Sequence, residues 1–140
     1  MQKFTIQLTD AEHSRLNSLF CGTGKSSHVG SRAIEILRIH FLRQDPATTF
    51  RTEVGDADLE ITNSTGSVLR IEVKGTADQG IAWAKLKVSG TPSYNALVAG
   101  MPVYRVCGVE GKTVQVFVMK YPENFSLTPE PRWRLSPNAA

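Results

Sequence analysis

The stretch Arg70-Ile71-Glu72-Val73-Lys74-Gly75-Thr76 carries an acid and a lysine two residues apart within an apolar run. Side chains alternate along a strand, so with Ile71 and Val73 turned to a core, Glu72 and Lys74 share the opposite face. Gly75 then lets the chain turn and leaves room for a ligand beside the pair. Upstream, Asp58-Leu59-Glu60-Ile61 reads as a preceding antiparallel strand, and Asn63-Ser64-Thr65-Gly66-Ser67 supplies turn residues between the two. A loop over 63–67 sets Thr62 opposite Val68 and Asp58 opposite Glu72. Facing carboxylates with a lysine alongside make the start of a metal-dependent site, and Asp56, Asp58 and Glu60 share the strand face that would supply the upstream acid.

The pattern Asp58 followed by Glu72-x-Lys74 resembles the PD-(D/E)xK nuclease superfamily, whose core is a mixed sheet flanked by helices. The run DLEI…LRIEVKGTA, followed by PVYRVCGV and VQVFVM, is similar to the NO VEIN C-terminal-type domain grouped with that superfamily. This resemblance spans residues 48–120, with Ala57 in the place of the proline that gives the superfamily its name. It implies a restriction-endonuclease-like α/β (α+β) fold. It implies Asp58, Glu72 and Lys74 as catalytic residues, with Mg²⁺ or Mn²⁺ held by Asp58, Glu72 and the Val73 carbonyl, and DNA as substrate. Glu35, on the helix before the sheet, stands where some superfamily members place a further acid.

The elements that must position these residues follow from periodicity. Lys3 to Leu8 alternates polar and apolar, as a half-buried strand does, and Thr9-Asp10-Ala11-Glu12 is a capping box opening a helix through Phe20. Ser26 or Ser27 caps a second helix, with Val29, Ala33, Ile34, Leu37 and Phe41 at helical spacing until Asp45-Pro46. Short strands are predicted over 49–54, 57–62, 68–74 and 81–88. A helix from Thr91-Pro92 closes at Gly100, and a hairpin joins 102–106 to 114–118. The proline-bearing tail after Tyr121 reads as an extended strap that ends disordered. The expected segments are 1–44, 45–125 and a tail over 126–140.

Strand, helix, glycine loop and serine-capped helix is also the order of a ribbon-helix-helix DNA-binding domain, which residues 3–44 resemble. That resemblance implies a homodimer whose paired strands enter a groove, with Lys3, Thr5 and Gln7 reading bases and Ser26, Ser27 and His28 near phosphates. Packing of this segment on the sheet is the alternative.

Composition narrows the function classes. The 140 residues are 41% hydrophobic, enough for a buried core, and no apolar run approaches membrane-spanning length, which places the expected protein in the cytoplasm. The net charge of +3 lies entirely in residues 1–44, where six Lys/Arg face three acids, a bias that favours nucleic acid as partner. Cys21 and Cys107 sit in no metal or redox spacing, and His13, His28 and His40 form no ligand pattern. Gly22-Thr23-Gly24-Lys25-Ser26-Ser27 is not a P-loop, because Leu19 stands where its first glycine belongs and a helix precedes it. The expected function is a metal-dependent DNA endonuclease. The alternative is a non-enzymatic DNA-binding regulator or interaction subunit on a nuclease-like scaffold.

Overall fold

The computed structural model describes residues 1–21, 26–129 and 132–139, with only the backbone of Ser26 and Ser27. In chain order the elements are β1 (Gln2–Gln7), α1 (Asp10–Leu19), α2 (Ser26–Gln44), β2 (Thr49–Val54), β3 (Ala57–Thr62) and β4 (Val68–Thr76). There follow a short 3₁₀ turn (Trp83–Lys85), β5 (Lys87–Val88), α3 (Gly90–Val98), β6 (Val103–Cys107), β7 (Thr113–Met119), β8 (Phe125–Thr128) and β9 (Trp133–Pro137). A six-stranded mixed sheet runs β1-β7-β6-β4-β3-β2, and a three-stranded sheet runs β5-β9-β8. The fold is α+β. β2, β3 and β4 form the expected antiparallel meander, and β6 returns parallel to β4 after the crossover through α3.

Each face of the large sheet carries its own core. On one face Ile71 and Val73 of β4, Leu59 and Ile61 of β3 and Val106, Val114 and Val116 of the β6–β7 hairpin pack against Leu16, Ala33, Ile36 and Leu37 of α1 and α2. On the other face Val103 and Met119 meet Leu86, which follows the 3₁₀ turn, and Val88, Leu97, Phe125 and Leu135 from β5, α3, β8 and β9. Apolar residues on both sides of a strand require cover on both sides, and the two helical and sheet layers supply it.

The N-terminal strand departs from the ribbon expected of it. β1 pairs antiparallel with β7 of its own chain, from Gln2 opposite Val118 to Gln7 opposite Thr113. Its Ile6, with Leu8 just beyond, enters the same core as the later strands. The capping box at Thr9 and Glu12 is present as expected, and Arg43 on α2 joins Glu12 Oε1 (2.6 Å) and the Gln7 carbonyl (3.0 Å). Residues 1–44 are therefore a layer of the sheet domain rather than a separate ribbon, because β7 offers β1 an intramolecular ladder and α2 needs β4 to cover its apolar face.

Two other segments differ from their sequence patterns. Residues 81–88 form only a 3₁₀ turn and a two-residue strand. The cause is Arg105, 2% exposed, whose guanidinium donates to the carbonyls of Gly75 (3.0 Å), Ile81 (2.7 Å) and Ala82 (3.3 Å). Carbonyls turned inward to satisfy a buried cation are lost to any ladder. The tail is not a loose strap, since β8 and β9 form a hairpin against β5 with Phe125 and Leu135 fully buried. Trp133, flanked by arginines in sequence, stacks on Tyr94 at 4.3 Å and thereby anchors this hairpin to α3.

Gly75 also has a different task from the one its position implied. It lies inside β4, and a Cβ there would stand 2.8 Å from both Ala33 Cβ and the Val29 carbonyl oxygen. The space it leaves is taken by α2, not by a ligand. Gly75→Ala is expected to destabilise the protein by about 1–3 kcal/mol in urea denaturation, because the obstructing atoms belong to the helix and its backbone. Leu135→Ala should cost about 2–5 kcal/mol, whereas a dispensable tail would leave the midpoint unchanged.

Candidate active site

Leu59 stands opposite Ile71 and Glu60 opposite Arg70, so the next step of the register brings Asp58 level with Glu72. Leu59 and Ile71 face α2, which turns Asp58 and Glu72 to the other side of the sheet. Asp58 Oδ2 accepts a hydrogen bond from the Val73 N–H at 2.8 Å, fixing its carboxylate over β4. Lys74 Nζ lies 3.6 Å from Glu72 Oε1, with the lysine side chain 30% exposed and that of the acid 6%. The three residues Asp58, Glu72 and Lys74 are thus brought together as the sequence predicts.

The electrostatics of this group are those of an acid pair short of counter-charge. Burial, then the neighbouring Asp58 carboxylate, raise the Glu72 carboxyl to about 7, against the opposing pull of Lys74. Of the other acids on that face, Glu60 is occupied by Arg70 Nε at 2.9 Å and Arg51 Nη1 at 3.5 Å, and Asp56 sits exposed in the β2–β3 turn. Asp58 is therefore the upstream acid that meets Glu72. Glu35 pairs with Arg38 at 3.4 Å on α2 and lines a cleft on the α2 side whose lining includes Thr52 and also Glu53 and Asp58.

The backbone completes the arrangement. The Glu72 N–H donates to the Pro102 carbonyl at 3.0 Å on the β6 side, while the Val73 N–H leaves by the opposite edge to reach Asp58. The N–H and C=O of one strand residue leave by the same edge, so the Val73 carbonyl also faces the Asp58 side. A cleft of ≈ 370 Å³ lies over the acids, lined by Glu53, Asp58 and Glu72 and, across from them, by Ser89, Pro92 and Ser93 at the start of α3. That helix end carries partial positive charge, which suits an anionic ligand held against a metal.

A divalent cation fits these donors. Among the described residues no group of three or more His, Cys, Asp or Glu side chains converges on one point, so the protein would offer two carboxylates and a carbonyl. Magnesium is commonly held by one or two carboxylates while keeping several waters. Lys74 Nζ, 3.6 Å from Glu72 Oε1, supplies one counter-charge, and a cation between the two carboxylates would supply another.

The residues assigned to base reading are placed elsewhere. Lys3 lies over the Phe117 ring at 5.8 Å, Thr5 donates to Gln115 Oε1 at 3.1 Å, and Gln7 Oε1 accepts from Thr113 at 2.7 Å. These contacts run across the β1–β7 ladder, so the ribbon assignment of Lys3, Thr5 and Gln7 is overturned. His28 contacts the Phe20 ring edge-on at 6.1 Å, and the side chains of Ser26 and Ser27, with residues 22–25, lie outside the described residues. A residue not singled out from sequence, Glu53, falls opposite Asp58 when the β2–β3 register is continued, and it holds a left-handed backbone with φ 54°. The alternation that placed Asp58 would have found it, had strand 49–54 been set in register. Comparisons with protein-family models, with curated proteins and with solved structures gave no match.

A carboxyl whose folded pKa is raised binds its proton more tightly in the folded state, so stability is greatest below the unfolded value and falls as pH rises. For Glu72 the window runs from about 4.5 to about 7. Without metal, thermal stability should decline across that window by up to roughly 3 kcal/mol from this group. Glu72→Gln should flatten the decline in a pH series of melting curves; an unchanged profile would show that the acid pair does not carry it.

Proposed function

We propose that the protein is a metal-dependent DNA endonuclease of the PD-(D/E)xK type. The observation that carries this reading is the meeting of Asp58 and Glu72 beside Lys74 at a cleft under the start of α3, with the Val73 carbonyl leaving β4 by the Asp58 edge. The mixed sheet with helices against it agrees with the restriction-endonuclease-like core of that superfamily. The regulator alternative drew on a two-chain ribbon at the N-terminus, and the pairing of β1 with β7 removes that support, together with the basis for a ribbon-mediated homodimer.

Asp58, Glu72 and the Val73 carbonyl would hold Mg²⁺ or Mn²⁺. When bound, the cation supplies Lewis-acid polarisation of a phosphoryl oxygen and offsets the charge that develops there. The Val73 N–H keeps Asp58 in place, so one ligand is preorganised by backbone. Glu72 gives up its proton on binding, which couples metal uptake to pH. Lys74, reaching from the half-buried floor towards solvent, orients the attacking water and stabilises negative charge on the phosphate. The α3 N-terminus draws the phosphate into the cleft.

Cleavage of supercoiled plasmid with Mg²⁺, and its loss in chelator, is the test. Lys74→Ala should lower turnover by about 100-fold or more while Mg²⁺ still raises the melting temperature. Glu72→Gln should lose both cleavage and the metal-dependent rise. A Glu72→Gln protein that cuts as the wild type does would end the nuclease assignment.

A further inference from the structure

The face of the β2-β3-β4 meander turned to α3 carries a second row of charge two residues from the acids. Continuing the strand registers gives one row of Glu53, Asp58 and Glu72 and a neighbouring row of Arg51, Glu60 and Arg70. Arg51 stands opposite Glu60, and Glu60 opposite Arg70, so the three form a line across adjacent strands. Glu60 is buried, its side chain 7% exposed, yet the arginines it joins are 72% and 61% exposed.

Stability alone gives a weak reason for this arrangement. Ion pairs with so exposed a partner contribute little, while burying a carboxylate has a cost. Direction is what the arrangement does provide. Glu60 engages Nε of Arg70 and Nη1 of Arg51, leaving most of the five donors of each guanidinium directed away from it. The row keeps a net positive charge, and planar guanidinium forks match phosphate oxygens in paired hydrogen bonds.

The row is also joined to the acid site. A cleft of ≈ 470 Å³ lined by Arg70, the β2–β3 turn and Ala96, Ala99 and Gly100 of the α3 end shares Gly55, Asp56 and Ala57 with the cleft over Glu72. Small side chains on α3 leave its wall shallow. Arg70 and Glu72 lie on one face of β4 two residues apart, about 6.8 Å of strand rise, comparable with the spacing of neighbouring phosphates on one strand. Glu53 of β2 and Asp56 of the turn add to the acids around Asp58 and Glu72, with Arg51 and Arg70 the positive charge on one side of that pair and Lys74 on the other.

Resting on the nuclease reading, we propose that Arg51 and Arg70, held in place by Glu60, bind the DNA backbone next to the phosphate at Asp58 and Glu72. Such contacts carry position and no base sequence, so the substrate is a DNA strand taken through its phosphates irrespective of sequence.

The test uses the full chain in chelator, where no strand is cut, with short labelled single-stranded DNAs of two unrelated sequences and anisotropy read across a sodium chloride series. Arg51→Gln/Arg70→Gln should make the slope of log affinity against log salt shallower by about 1.4, from about 0.7 per lost phosphate contact on single strands. The two sequences should bind alike. Arg70→Gln alone should give about half the change, and serves if the double variant folds poorly. Lys120→Gln/Arg132→Gln removes equal charge elsewhere and should change the slope less; an equal change would reduce the effect to net charge and overturn the proposal, as would an unchanged slope in the arginine variants. A wild type that cleaves with Mg²⁺ while the arginine variants keep its slope defeats this inference and leaves the nuclease reading standing. Slope loss without any cleavage does the reverse.

Discussion

Everything proposed for this protein depends on the register between β3 and β4. A slip of one residue would send Asp58 to the face opposite Glu72 and Glu60 away from Arg70, since side chains alternate with a period of two. The connecting turn prevents it. Asn63 Oδ1 accepts from the N–H groups of Thr65 and Ser67 (3.0 Å each) and from the Thr65 hydroxyl (2.7 Å), while the Asn63 N–H donates to the Ser67 carbonyl at 3.0 Å. Gly66, at φ 85°, adopts the left-handed conformation that closes this turn. The α2 side adds a second lock, because Leu59, Ile61, Ile71 and Val73 all enter the core only in the observed register.

The acid pair works against the stability this register provides. A buried carboxylate beside a second one costs free energy once ionised, and the raised Glu72 titration expresses first its burial and then the neighbouring Asp58. The opposing contributions come from elements that leave the cleft itself open. Gly75 lets α2 approach β4 closely from behind, and Arg105 ties the end of β4 to the following loop through three carbonyls. The site is therefore supported from the rear and from its C-terminal end. A strained or mutually repelling group persists where its surroundings over-determine it, and ligand binding can then relieve the repulsion.

Sequence made one class of feature legible and hid another. The meander, the hairpin of β6 and β7, α3 and the face shared by Asp58, Glu72 and Lys74 follow from short-range alternation and turn residues. A period of two reports which way a side chain points, but not which strand lies alongside. Phe4, Ile6 and Leu8 were legible as one face of a strand, while its partner, β7, lies more than a hundred positions away and left no local mark. Residues 81–88 failed for a related reason, since their carbonyls answer to Arg105, a residue whose burial no local pattern announces. The tail misled through its prolines, which signal extension but not that Phe125 and Leu135 would complete a core.

The location of the site follows from where the second layer stops. β6 and β7 are covered on both faces, by α1 and α2 on one side and by α3 with the small sheet on the other. β2, β3 and β4 are packed by α2 on one face, while on the other α3 stands across two clefts from Arg51, Glu53, Asp58, Glu60, Arg70 and Glu72, which alternate along the strands. Charge at the exposed positions of this face, Arg51, Glu53 and Arg70, serves solubility in either case. Solubility alone, however, is served by an even mixture of both signs. The observed order is a row of three acids beside a row in which two arginines flank a buried acid. That segregation sets the like charges of the acid row at short range, a repulsion that a cation, as proposed, would offset. On the proposed function, Asp58 and Glu72 would hold the cation while Arg51 and Arg70 meet the phosphates, with the charges of both rows already in place.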